Sequence, residues 1–526
     1  MNEDPTVLLS GPGQEVLARI AAQAPDAVPD LAVATRLRRD YPAALVAAAM
    51  AQHELRLLAR AKFSRAGQML FTREGYEQAS GELVGTYRSA RLKDARLVVD
   101  LCCGIGGDLV ALGSISPERP VLAVDRNATH ARLAVHNASV YGADARAVVA
   151  DARDVRLAGV DAAFIDPARR EDGRRFRTGV SEPPLEWCFG LAAGGVRSVC
   201  VKAAPGLDTA VVPAGWEVEF IAVGRDLKEA VLWSPATASA SRRATVLPGP
   251  HALLAVPGPA VRVAAPGPVL LDPSPAVTRA GLVEDLARQV GAWMIDPQIA
   301  FLSLDEPVTT PFARTLTVID SAPWNEKRFA ARLRELGVGA ADLRRRGLAG
   351  DVDQIRRRLK LQGPHHATVV LTRVNDKPWG LICQLAAQQD AAHELGLPHV
   401  AGVVVEHADQ AHAEGDRRVP VAVDDPLQVR VADRRHQGDR LRVHRLVVLG
   451  QQRTGGRRPA DGRGQVRHLL ARVPVADLHR LGRQPEPLRP PVSRPDLLRA
   501  ERRRHMVILD PRQMPDQPAN RVRGGV

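Results

Sequence analysis

Short apolar runs, each ending at an aspartate, recur through the first half of the chain. Residues 97–99 lead into Asp100, 121–124 into Asp125, 147–150 into Asp151 and 162–165 into Asp166. Runs that are continuously apolar rather than alternating predict strands buried on both faces, as in a parallel sheet. Helical patterns lie between them. Leu109, Val110 and Leu112 follow Asp108, and residues 128–141 form a second helical stretch that stops at Gly142. A fifth strand is predicted over 196–201, leading to Lys202. The runs 218–223 and 230–233 flank Gly224-Arg225-Asp226 as a hairpin. Strands alternating with helices predict an α/β fold with right-handed crossovers and a sheet covered on both faces. In such sheets ligands bind outside the carboxyl ends of the strands, so four aspartates in register mark a candidate site.

The flanking regions read differently. Residues 1–90 are helical in pattern, with a new helix starting at Pro42. Arg56, Arg60 and Lys62 share one face there, either a solvated surface or a phosphate-contacting one. Residues 241–275 are rich in Pro and Gly, with Pro-Gly-Pro at 248–250 and again at 257–259, and read as a boundary with short strands. Helices are expected over 275–290, 329–336 and 351–361, and a hairpin over 367–371 and 379–383 around Asn375-Asp376.

The first run opens into Asp100-Leu101-Cys102-Cys103-Gly104-Ile105-Gly106-Gly107-Asp108. Glycines here let the backbone turn tightly and let a ligand approach bare main chain at a helix start. Asp125 follows Gly106 by 19 residues, the interval expected of a carboxylate on ribose hydroxyls. Asp108 either caps the following helix or touches a ligand.

On these residues the chain resembles the class I S-adenosylmethionine-dependent methyltransferases. The Asp-x-Cys-Cys-Gly-x-Gly-Gly-Asp loop is most similar to those that methylate RNA bases, including the cap-guanine type. The resemblance spans about 97–233, and the segment C-terminal to it is similar to a THUMP-like domain. It implies a Rossmann-like core at 91–240 behind a helical N-terminal cap (1–90), then a linker and a second α/β domain that binds RNA (241–385). It also implies S-adenosylmethionine as cofactor. Asp100, Cys102, Gly104 and Gly106 would hold its methionine part, Asp125 with Arg126 the ribose, and Asp151 with Ala152 the adenine. Asp166-Pro167-Ala168-Arg169 stands where amine-directed members carry Asn/Asp/Ser-Pro-Pro-aromatic. Asp166 and Pro167 match and would orient a target amine. Ala168 and Arg169 depart from the pattern, so a stacking ring would come from elsewhere, such as Phe176 or Trp187. Arg169 or Lys202 could hold a phosphate near the target. The function expected is methylation of a base in RNA. The alternatives are a protein or small-molecule methyltransferase, or a non-catalytic cofactor-binding protein.

Charge adds to this expectation. The 526 residues carry a formal net charge of +13, which suits a polyanionic partner. Two arginine triplets, Arg344-Arg345-Arg346 and Arg356-Arg357-Arg358, are the expected RNA contacts, set against the plainer possibility of solvated surface. The five cysteines show neither disulfide nor zinc spacing, so no metal is expected. With no signal pattern and no spanning apolar run, the expected location is the cytoplasm and no membrane partner is expected. Residues 386–526 contain no Phe, Tyr, Trp or Lys but nine of the 15 histidines. That composition suggests a frame-shifted or disordered tail, the rival being an arginine-rich nucleic-acid tail.

Overall fold

The computed structural model describes residues 4–168 and 181–385, and the backbone alone of 170–171, 174–175 and 507–509. Arg169, Phe176 and nearly all of the expected tail lie outside the described residues.

Five helices open the chain: α1 (Gly11–Gln23), α2 (Leu31–Leu37), α3 (Ala43–Ala59), α4 (Arg73–Gln78) and α5 (Glu82–Ala90). Their starts follow from local chemistry. Asp30 accepts from the Val33 amide, Pro42 precedes α3, and Thr72 accepts from the Gly75 amide. Their apolar faces (Val16, Leu17, Ile20, Val46), with Phe63 and Phe71 of the segment between α3 and α4, form one core with Val110 and Leu133 of the next helices.

The central sheet is built from β1 (Val98–Leu101), β2 (Val121–Asp125), β3 (Ala145–Val149) and β4 (Ala162–Ile165), with α6 (Gly107–Ser114) and α7 (Ala128–Val140) as crossovers. Two-residue strands β5 (Arg170–Glu171) and β6 (Arg174–Arg175) pair with each other. Then come α8 (Leu185–Ala193), β7 (Ser198–Ala203), β8 (Glu217–Val223), β9 (Asp226–Trp233), β10 (Arg242–Leu247) and β11 (His251–Leu254). The strand order is β11-β10-β8-β9-β7-β4-β1-β2-β3, and Val507–Leu509 adds an antiparallel strand beside β3. β3, β2, β1, β4 and β7 run parallel, and β9 enters antiparallel between β7 and β8. Val99, Leu101, Ile165 and Val201 pack toward α8 on one face, while Val98, Leu109, Ala134 and Phe164 pack on the other.

The second sheet takes β12 (Val269–Pro273), α9 (Pro275–Ala280), α10 (Val283–Val290), β13 (Trp293–Met294), β14 (Leu302–Leu304) and β15 (Ala313–Pro323). It continues through α11 (Glu326–Glu335), β16 (Val338–Arg345), α12 (Val352–Leu359), β17 (His365–Val374) and β18 (Lys377–Leu385), in the order β13-β14-β12-β15-β18-β17-β16. Asn375 and Asp376, both at positive φ, make the β17–β18 turn. The two sheets share apolar core: Val218, Phe220 and Ala244 of the first cluster with Val269, Leu271, Ala276 and Val277 of the second.

One expectation holds and one changes. The Pro- and Gly-rich stretch from 241 does carry short strands, β10 and β11. β10 pairs parallel with β8, and Pro248-Gly249-Pro250 turns the chain into β11. The helix expected over 275–290 is two helices, because Gly281 sits at φ +70° and ends α9.

β8 carries two fully buried glutamates, Glu217 and Glu219, in an otherwise apolar strand. Arg91, just after α5, meets Glu217 at 2.7 Å and Glu219 at 3.1 Å, and Arg243 meets Glu217 at 2.8 Å. Tyr87, Thr245 and the Trp233 indole donate to Glu219 at 2.6–2.7 Å. This cluster ties the helical cap to the sheet. Burial alone would raise the Glu217 carboxyl, but hydrogen bonds from Arg91, the Ser239 amide and Arg243 hold it down at about 2. The folded value lies below the ordinary 4.5. The stabilisation, about 3 kcal/mol by linkage, is therefore complete above pH 4.5 and is lost as pH falls toward about 2. Denaturant unfolding across that range should show the parent approaching Glu217→Gln in stability as pH drops. A gap that stays constant with pH would refute this account.

Candidate functional site

The site forms along the carboxyl edge of the parallel strands. The loop after β1 needs three left-handed residues, Cys102 (φ +64°), Gly104 (+54°) and Gly106 (+84°). A Cβ on Gly106 would come within 2.7 Å of the Ala134 backbone, so α6 and α7 pack this closely only over glycine. A Cβ on Gly104 would meet nothing within 4 Å, so its face opens to the site. The Cys103 amide donates to Val124 O at 3.0 Å, which fastens the loop to β2. From α7, Asn137 buttresses the loop by donating to Ile105 O at 2.8 Å.

Asp125 ends β2 and joins two loops. One carboxylate oxygen accepts from the Gly104 amide and the other from the Asn127 amide, each at 2.8 Å. Asp100, on β1, is fully buried and neither of its oxygens has a hydrogen-bond partner among the described residues. Burial, together with Asp108, Asp166 and Asp125 nearby, pushes its carboxyl well above the usual range. A buried, unpaired acid at a loop open to solvent is suited to receiving a cationic group.

Asp151 follows β3 and is engaged through both oxygens by Arg153, at 2.9 and 2.7 Å. That hydrogen bonding lowers its carboxyl. Arg153 also reaches Glu182 at 2.7 Å, whose backbone pairs with Ala168. Ala152 is buried and Arg126 exposed. Asp166, beyond β4, pairs through Oδ2 with Lys202 of β7 at 2.5 Å. Pro167 is buried beside it. Burial works against the Lys202 charge, but Asp166, Asp108 and Glu229 outweigh it and raise its pKa.

Several expectations change here. Lys202 is 5% exposed and committed to Asp166, so it is not a free phosphate contact. Asp108 is not the helix cap; Gly106 occupies that position, and Asp108 pairs with Arg88. Arg56 is buried on Met69 O, Arg60 pairs with Asp26, and Lys62 donates to three carbonyls at the end of α4. None of the three forms a phosphate surface. Trp187 is half-buried against the core. Arg356, Arg357 and Arg358 are exposed on α12, whereas Arg344, Arg345 and Arg346 line a pocket.

Sequence reasoning missed Arg88 and Glu229. Arg88 is almost fully buried, lies over the Phe164 ring at 4.9 Å and meets Glu229 of β9 at 2.9 Å. Together, Asp108, Arg88, Glu229 and Lys202 form a buried cluster of opposite charges that ends at the half-buried Asp166. The available signal was slight: Glu229 stands directly before the apolar run of 230–233.

The comparisons agree with this architecture. The family model described as RNA cap guanine-N2 methyltransferase matches residues 95–157, the one described as THUMP domain-like matches 313–385, and a domain of unknown function matches 3–61. The crystal structure of a protein from Porphyromonas gingivalis W83 classed as a methyltransferase aligns with a TM-score of 0.57 at 22% identity. It covers 71% of this chain and 98% of its own, and so shares the fold. Curated proteins from two Mycobacterium tuberculosis strains, CDC 1551 / Oshkosh and H37Rv, are described as uncharacterized S-adenosylmethionine-dependent methyltransferases. Each is 37% identical over 320 residues, covering 58% of this chain and 85% of theirs. By that similarity, with its glycine loop and carboxyl-edge acids, the chain belongs to the S-adenosylmethionine-dependent methyltransferases.

Proposed function

We propose that this enzyme methylates a base amine in RNA at the Asp166 edge. The cofactor fits the residues present. The unpaired buried carboxylate of Asp100 suits an amino-acid ammonium, and the open face of Gly104 leaves room for a ligand against the main chain. Asp125 would take the ribose hydroxyls, with Arg126 at the rim, while the Cys102–Gly106 backbone lines the methionine part. Ala152 and the Asp151 segment would border the adenine. When bound, S-adenosylmethionine supplies an electrophilic methyl group on a sulfonium.

The chain's own contribution is placement. Lys202 holds Asp166 Oδ2, and Oδ1 would be the oxygen offered to the substrate. One N–H of a target amine would donate to that oxygen and another to the Pro167 carbonyl, which turns the nitrogen lone pair toward the methyl group. The observation that carries this reading is the Asp166–Lys202 pair at the same edge as the unpaired Asp100. RNA as the substrate class is supported by the two family-model matches, one of an RNA methyltransferase and one of a THUMP-like domain.

The test is label transfer. The full chain is given S-adenosylmethionine labelled at its methyl group, together with RNA, DNA and protein from cells lacking the gene. Label is expected in RNA and, after digestion, in one modified nucleoside. Label confined to protein or small molecules would overturn the RNA reading.

A further inference from the structure

A pocket of about 400 Å³ opens where the β8–β9 turn meets the second sheet. Its lining includes Arg225, Arg314, Arg344, Arg345, Arg346 and a single carboxylate, Asp272. Asp272 is almost fully buried and already doubly paired, to Arg225 at 2.6 Å and to Arg346 at 2.8 Å. Arg346 is fixed further over the Phe301 ring at 4.5 Å, and Arg345 donates to Leu348 O at 2.9 Å. Among the described residues Arg314 and Arg344 pair with no carboxylate, and the buried Arg344 Nε has no hydrogen-bond partner. Five guanidinium groups thus face one acid in a half-buried space. Burial lowers the Arg225 and Arg346 pKa values, and neighbouring arginines add to the effect. Forked N–H donors converging on one space match the oxygens of a phosphate, which would also relieve the crowding of like charge.

The pocket's position gives it meaning. β8 and β9 meet at Val223 and Asp226, and Ala230 of β9 lies opposite Ala203 of β7. The Arg225 turn therefore projects from the same carboxyl edge as Lys202 and Asp166. β8, β9, β7 and β4 are consecutive in the sheet, so two to three strand spacings, about 10–14 Å, separate the β8–β9 turn that carries Arg225 from β4, which leads to Asp166.

We propose that this pocket is a phosphate-binding site that seats a phosphate of the RNA whose base is presented at Asp166. The phosphate chemistry stands on the pocket alone; the RNA source rests on the function proposed above.

The test uses the full chain without cofactor, comparing the parent with Arg314→Gln, Arg344→Gln and the double variant. Circular dichroism confirms the fold, and Arg344→Lys serves as a variant that keeps the charge. The probes are inorganic phosphate, read as a rise in Tm against chloride at equal ionic strength, and a short RNA, read by anisotropy over a salt series. Phosphate should raise the Tm of the parent and not that of the double variant. The double variant should bind RNA about ten-fold or more weakly, with the slope of log affinity against log salt reduced by about 0.7 for each phosphate no longer neutralised. Arg344→Lys should recover part of the phosphate response. If the phosphate response is lost while RNA affinity is unchanged, the site is a phosphate site for a free small molecule, and the RNA source is overturned. Parent-like responses to both probes in the double variant would overturn the proposal, even if RNA takes label. Absence of label in RNA with the phosphate response intact would count against the RNA reading alone.

Discussion

Asp166→Asn is expected to lower methyl transfer by about 10²–10³-fold, with S-adenosylmethionine binding left intact. Oδ2 of the carboxylate is held by Lys202 at 2.5 Å, and in the proposed arrangement Oδ1 would serve the substrate. An amide cannot do both. Its oxygen would turn to the Lys202 ammonium, which leaves an NH₂ group facing an amine that is itself a donor. The substitution also leaves Lys202, 5% exposed, with Asp108 at 4.0 Å as its remaining carboxylate partner within salt-bridge range among the described residues. Loss of stability and loss of function must therefore be separated. In Asp166→Ala combined with Lys202→Met the stranded ammonium is gone and no side-chain oxygen remains for the amine, so stability should recover while transfer does not. Single-turnover label transfer beside a cofactor titration reads both quantities. If the double variant regained activity, Asp166 would be acting only as a counter-charge.

Asp125→Ala should weaken S-adenosylmethionine binding by about 10–100-fold, the loss expected for charge-assisted hydrogen bonds to a ligand. The loop would also lose its anchor, since Asp125 accepts from both the Gly104 and Asn127 amides at 2.8 Å. Asp100 adds a pH signature. Its carboxyl is held well above the usual range by burial and by Asp108, Asp166 and Asp125. The protonated form favoured in the free protein must lose its proton to pair with an ammonium, so binding should release a proton, and affinity should rise as pH passes through the raised pKa. Calorimetric titration in buffers of different ionisation enthalpy measures that release. Asp100→Asn should bind weakly and without it. Undiminished proton release in Asp100→Asn would assign the proton to another group.

What was legible in the sequence was local. The strand–loop–helix over 98–114 announced itself because burial on both faces demands unbroken apolar runs and the turn demands left-handed residues at Gly104 and Gly106. The hairpin at Gly224-Arg225 was legible for the same reason. What escaped depends on partners remote along the chain. Lys202 and Asp166 are 36 residues apart, and Arg88 and Asp108 are 20 apart. A lysine beyond a strand therefore looks free until the neighbouring strand is placed. The periodicity of 275–290 concealed the Gly281 break, because Leu282 and Leu286 stay buried beyond it. Pro248-Gly249-Pro250 was equally compatible with a linker and with a turn, and the antiparallel pairing of β10 with β11 decides between them. The arginine triplets looked alike in sequence but differ in structure, since Arg344–Arg346 close a strand beside a buried acid and Arg356–Arg358 ride on a helix facing solvent.

The apolar core that runs unbroken from Val218 and Phe220 into Leu271 and Val277 bears on how such a protein can evolve. A recombination breakpoint between the two sheets, near residue 260, would expose greasy surface on both products. Exchange of either half for an unrelated module would therefore have to supply a new apolar face in the same event, so the two sheets are expected to be inherited together and to change by substitution rather than by exchange.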